Sequence, residues 1–161
     1  MSAKLRTTVC ACTNLRRANR AVCHLYDQVL SPTGLKSTQF MMLQVIAESG
    51  QIAHCDLAAD FSLSVETLSR RLASARENGL VKMQIGDRSK RLYSLTAKGS
   101  EVLRNAWPYW ERAQLRLSQS LGQQDWNELA RFTERIAAAA ARAEAMPIRN
   151  GVRRTAAASG D

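Results

Sequence analysis

The chain has 161 residues, 45% of them apolar, and carries 23 Lys and Arg against 14 Asp and Glu, for a formal net charge of +9 and a pI near 10. That length suits one domain, or one domain with an arm, and it can bury a core. The charge suggests a polyanion partner over an acidic one. No apolar run approaches the roughly 20 residues of a membrane helix. MSAKLRTTV at the start lacks the apolar centre of a signal peptide, so a reducing cytoplasm is expected.

Residues 1–8 read as a flexible arm. From Val9 to Leu30, Cys12, Leu15, Asn19, Val22, Tyr26 and Val29 recur at steps of three and four, a helical stripe with Arg16, Arg17 and Arg20 off its seam. Ser31-Pro32-Thr33-Gly34 ends it, because proline and glycine continue a helix only at a cost. A second helix is expected over Ser37 to Glu48, carrying Phe40, Leu43, Val45 and Ile46. A short third is expected over Ile52 to Phe61. Ser62-Leu63-Ser64 reads as a turn, and Ser64 as the cap of a fourth helix that Gly79 closes.

The period then falls to two. Leu80, Val81, Met83 and Ile85 lead into Gly86-Asp87-Arg88-Ser89-Lys90, and Leu92, Tyr93 and Leu95 lead out, as two strands around a basic tip. Thr96 caps a long helix running to Leu121, with Pro108 expected to bend it. A last helix starts near Asp125, shows the stripe Trp126, Leu129, Phe132 and Ile136, and continues through Ala137–Ala141. Residues 147–161 show no stripe and read as a disordered tail.

On a helical wheel the fourth helix turns Val65, Leu68, Leu72 and Ala75 inward. Glu66, Thr67, Arg70 and Ser74 then face away, with Arg71 on the flank. Such side chains suit base edges and phosphates in a major groove, and a basic hairpin beside them reaches phosphates or the minor groove. The expected DNA-contacting residues are Ser64, Glu66, Thr67, Arg70, Arg71 and Ser74 on the helix, and Arg88, Lys90 and Arg91 on the hairpin. Glu66 either accepts from a cytosine or serves the helix dipole.

This order resembles the winged helix-turn-helix of the MarR family of bacterial transcriptional regulators. The resemblance also rests on Asn14-Leu15-Arg16-Arg17-Ala18, Leu25-Tyr26-Asp27, Gly34-Leu35 before Gln39-Phe40, and Leu95-Thr96-x-x-Gly99. It covers about residues 9–145. It implies a mainly α fold with a small β-hairpin wing: a DNA-binding lobe over about 37–95 within a domain spanning 9–146, flanked by dimerisation helices at about 9–30 and 96–146. The function implied is that of a sequence-specific regulator of double-stranded DNA. It would be a triangular homodimer on a pseudo-palindromic operator, acting as a repressor. In the family an Asp-x-Arg pattern orders the wing and sends the arginine to the minor groove. Here Asp87 matches but the third position is Ser89, which leaves that role to Arg88 or Arg91.

Relatives bind small aromatic or phenolic acids between lobes. The corresponding effector residues here are Arg16, Arg20, Tyr26, Met41, Trp107 and Trp110. Other relatives sense oxidants, and Cys10 and Cys12 at a helix start near Arg16 make a thiol switch the alternative. Cys23 and Cys55 are expected to be structural. Cys10-x-Cys12 begins the first helix, where residues two apart point about 200° apart, so the pair suits neither one metal nor an easy mutual disulfide. None of the Cys and His spacings matches a zinc site, and no cofactor, metal or catalytic constellation is expected. The remaining alternatives are a non-specific architectural DNA binder and, more distantly, a thiol oxidoreductase.

Overall fold

The computed structural model describes residues 10–146. The arm expected over 1–8 and the tail expected over 147–161 lie outside them. The chain divides into two units between Leu117 and Ser118.

In the first unit, α1 spans Ala11–Leu30 and α2 spans Ser37–Ser49. A 3₁₀ turn, Ser31–Thr33, carries Pro32 in its first positions, and Gly34 follows at φ +73°, a conformation that costs glycine little. The α1–α2 joint is held by a carboxylate. Asp27 Oδ1 accepts from the Ser37 amide at 2.7 Å, and Lys36 Nζ lies 3.8 Å from Asp27 Oδ2. Gln39 Oε1 accepts from the Lys36 amide at 2.9 Å. Two backbone donors at the start of α2 are thus satisfied by side chains.

Partial burial would raise the Asp27 pKa. The hydrogen bonds from Ser37, with Lys36 and His24, outweigh it and hold the carboxyl below its ordinary range. A folded-state pKa below the unfolded one contributes stability above the ordinary carboxylate range, and that stability is lost as pH falls through the folded value. Asp27→Ala is expected to cost about 1 kcal/mol near neutral pH, the size of a helix-cap loss. The gap in melting temperature between variant and parent should close as pH falls below about 4. A gap independent of pH would contradict this assignment.

A two-residue strand, β1 (Ile52–Ala53), precedes α3 (His54–Asp60). This corrects the expected third helix, whose first two residues instead pair with a later strand. After α4 (Val65–Glu77), β2 (Val81–Ile85) and β3 (Arg91–Leu95) form the hairpin, and the antiparallel sheet has the order β1-β3-β2. Ile52 lies opposite Tyr93, and Met83 faces the same tyrosine from the other edge. The expected two-stranded wing is therefore a three-stranded sheet.

The core gathers Leu30, Phe40, Leu43, Ile46, Leu57, Leu68, Leu72, Val81, Tyr93 and Leu103. Helix α5 (Ala97–Leu121) continues unbroken through Pro108. Its Trp110 stacks on Phe40 with ring centroids 5.8 Å apart and planes 14° apart, and Trp107 tilts against both rings. Thr96 Oγ1 caps the helix by accepting from the Gly99 amide at 2.9 Å.

In the second unit, Gly122 at φ +83° precedes α6 (Gln123–Glu144). No residue of α6 is buried; Leu129 and Phe132 are 41% and 59% exposed. No helix of the described residues is long and apolar enough to cross a membrane.

Candidate DNA-reading interface

Helix α4 begins where its sequence requires. Ser64 has an extended backbone, and its Oγ accepts from the Thr67 amide at 3.3 Å and donates to Thr67 Oγ1 at 3.0 Å. Glu66, in the first turn, is held below the usual carboxylate range by its own backbone amide, then by the Ser64 hydroxyl and Arg70. Its charge lies at the positive end of the helix, where it is stabilising. Asn78 and Gly79, the latter at φ +69°, close the helix.

Leu68, Leu72 and Ala75 are buried as the wheel requires, but Val65 is exposed. The expectation that Val65 packs inward is therefore corrected. It shares the inward azimuth but precedes Leu68 by almost a full turn, and the buried part of the helix begins at Leu68. Ser64, Glu66, Arg70 and Ser74 are exposed, whereas Thr67 and Arg71 are half-buried.

An open groove of about 430 Å³ runs between α2 and α4, lined by Thr38, Gln39, Met42, Thr67, Arg70, Arg71 and Ser74. It adds Thr38 and Gln39 to the polar groups beside Arg70. Sequence reasoning missed both, because only tertiary packing sets the start of α2 against α4. It also missed His54. The His54 Nε2 lies 3.1 Å from Ser69 Oγ on α4, and its ring tilts against Tyr93 on β3 with centroids 5.8 Å apart. That histidine ties the reading helix to α3 and the sheet at once.

At the wing tip, Asp87–Ser89 form a 3₁₀ turn closed by the Lys90 amide donating to the Asp87 carbonyl at 3.2 Å. Arg88 and Ser89 have φ of +55° and +60°. Two consecutive left-handed residues without glycine are strained, a state held only where the surroundings over-determine it. Arg88, Lys90 and Arg91 are all exposed. Helix α4 and the wing thus present Arg70 and three further cations from one unit.

The other expected sites are less gathered. Arg16 and Arg20 line a shallow groove on α1 with Thr13, Arg17 and Asn19. Trp107 lines a separate, largely apolar groove of about 390 Å³ with Ala47, Leu95, Leu103, Arg104 and Pro108. The Tyr26 hydroxyl donates to Gln114 Oε1, and burial pushes its pKa up. Trp110 is committed to Phe40, and Met41 is exposed on α2. Neither of these two grooves joins all six.

Cys10 lies outside α1, at its N-cap, with φ −75° and ψ 105°. The angular argument against a Cys10–Cys12 pair assumed both were helical and is corrected here. Cys10 Sγ accepts from the Thr13 hydroxyl at 3.3 Å. That bond, with the Thr13 and Cys12 amides, lowers the thiol pKa. Cys12 and Cys55 are exposed and Cys23 is half-buried. Cys55 is thus not a packing residue of this chain: it sits in the first turn of α3, whose buried residues are Leu57 and Ala58.

No protein-family model and no curated protein matches the sequence. Solved structures do. The transcriptional regulator MosR of M. tuberculosis, crystallised in complex with DNA, is 35% identical; the match covers 83% of this chain and 98% of that one, with a TM-score of 0.76. A cysteine-to-serine mutant of E. coli MarR, in complex with operator DNA, is 19% identical with a TM-score of 0.75, over 84% of this chain and 99% of that one. A MarR-family regulator from Rhodococcus sp. RHA1 is 22% identical with a TM-score of 0.70, over 84% and 96%. The latter two share the fold, and the identity and coverage to MosR extend the likeness to sequence. The chain belongs to the MarR family of DNA-binding transcriptional regulators.

Proposed function

We propose that this regulator is a homodimeric repressor that binds a pseudo-palindromic operator. Residues 37–95 act as its DNA-binding lobe, and helices in 9–30 and 96–146 as its dimerisation elements. The observation that carries the reading is the exposed, capped α4 face centred on Arg70, standing in one unit with a cationic wing tip. Helix α4 enters the major groove, where Arg70 reaches a base edge and Ser74 and Arg71 reach phosphates or bases. The wing lies further along the duplex, with Arg88, Lys90 and Arg91 on phosphates or in the minor groove. The apolar, unburied stripe of α6 and the exposed Leu15 of α1 favour a second copy as their cover. Selection from a pool of random duplexes should return inverted repeats. Affinity indifferent to sequence, with a steep salt slope, would instead favour an architectural binder.

The effector we propose is a small aromatic carboxylate. The apolar groove beside Trp107 accepts a ring, and exposed Arg104 at the same groove supplies a cation for the carboxylate. Such a ligand releases DNA only if it favours the state whose two reading helices are mismatched to the operator. Salicylate should then lower operator affinity and quench tryptophan fluorescence together. Quenching without release would overturn the coupling.

A second reading rests on Cys10. Peroxide would oxidise the thiolate to a sulfenic acid, with the peroxide reduced to water or an alcohol, and condensation with a second thiol such as Cys12 would give a disulfide and water. The exposed sulfur and the Thr13 hydroxyl that stabilises its thiolate favour it. If the paired Cys10→Ser and Cys12→Ser variant loses DNA under peroxide as readily as the parent, this reading fails.

A further inference from the structure

In the first turn of α4, Ser64 and Thr67 bond each other. The Thr67 hydroxyl accepts from Ser64 Oγ, and its amide donates to that same oxygen. The Glu66 carboxylate faces its own backbone amide at the start of the helix. Beside the Thr67 O–H and the exposed Glu66 carboxylate, this turn offers a ligand one apolar group, the isopropyl of Val65, the first residue of the helix, 55% exposed while Leu68 and Leu72 behind it are buried.

The N-terminal residues of a helix-turn-helix reading helix are those that meet base edges. Valine has no side-chain donor or acceptor, so it can discriminate only by apolar contact. The major-groove edges of the four base pairs carry one apolar group, the C5 methyl of thymine. We propose that Val65 is a specificity-determining residue that selects a thymine in each half-site by packing on its methyl group. The inference rests on the reading of α4 as the groove-entering helix.

The test alters the DNA first, so protein folding does not enter. A duplex selected by the protein from a random pool is re-synthesised with deoxyuridine replacing each half-site thymine in turn, which deletes the methyl and keeps the pairing. Binding of the full chain is followed by fluorescence polarisation. At one thymine the substitution should weaken the parent about four-fold, the value of one buried methyl, and should weaken Val65→Ala by less than about two-fold. A selected half-site without thymine, equal binding at every position, or undiminished sensitivity in Val65→Ala would overturn the proposal. Arg70→Ala on the same duplexes locates such a failure. If it still weakens binding, α4 reads DNA and only the role of Val65 falls; if it has no effect, the reading of α4 falls with it.

Discussion

Gly99→Ala should destabilise the protein by about 3 kcal/mol, the upper part of the range for overpacking a rigid site. In a chain of this length that lowers the melting temperature by about 10 °C. The ordinary expectation has the opposite sign, since alanine is the better helix former by about 1 kcal/mol. Geometry decides between them. A Cβ at Gly99 would collide with the Leu80 carbonyl oxygen and lie 2.9 Å from its carbon. Neither is the end of a movable side chain. The same oxygen accepts from the Thr96 amide at 3.0 Å and lies 3.3 Å from the Thr96 hydroxyl, which also donates to the Gly79 carbonyl at 2.6 Å. Moving Leu80 aside would break the stitching of α5 to the strand that enters the wing. An unchanged or raised melting temperature would show that this joint has slack the structure does not display.

Arg70→Ala should weaken binding to the preferred duplex by about 1–3 kcal/mol, or roughly five- to 150-fold, and relax preference at one position of each half-site. Its guanidinium is exposed in the groove between α2 and α4. Replacement there removes a donor fork without opening the core. Arg88→Ala should behave differently. A phosphate contact from the wing tip is lost evenly across sequences and reduces the salt slope by about one per subunit. If Arg88 enters the minor groove, its loss is larger where A·T pairs narrow that groove. Matched and scrambled duplexes at two salt concentrations separate these outcomes. Unchanged affinity in both variants would put the DNA-reading face elsewhere.

The parts of this fold legible in the sequence are those governed by local chemistry. Ser64 and Thr96 cap helices because a hydroxyl beside an orphan amide does so in any context. Gly34 and Gly79 end segments in a left-handed conformation that costs them little. Leu68, Leu72 and Ala75 are buried because the stripe repeats through the helix. What escaped depends on distance along an axis or on tertiary neighbours. Ile52 and Ala53 form a strand only because β3 lies beside them; two residues show no period. Val65 has the right angle and the wrong height. Cys10 precedes the helix by one position, enough to void a wheel argument. Thr38, Gln39 and His54 gain their roles from packing between elements far apart in sequence. The six effector residues inferred from family likeness fall on α1, α2 and α5, with Tyr26 already bonded to Gln114. Of the six, Trp107 and Trp110 meet in one aromatic cluster on Phe40, while Arg16 and Arg20 line a groove on α1.

Hydroxyl-radical footprinting of the full chain on a duplex selected from the random pool tests the central claim most directly. Two copies reading one operator through paired α4 helices and wings should protect two equivalent patches related by a two-fold axis, centred about 10 bp apart. Arg70→Ala should weaken both patches together, each needing a higher protein concentration than the parent to fill. A single asymmetric patch, or uniform protection along the duplex, would contradict the account.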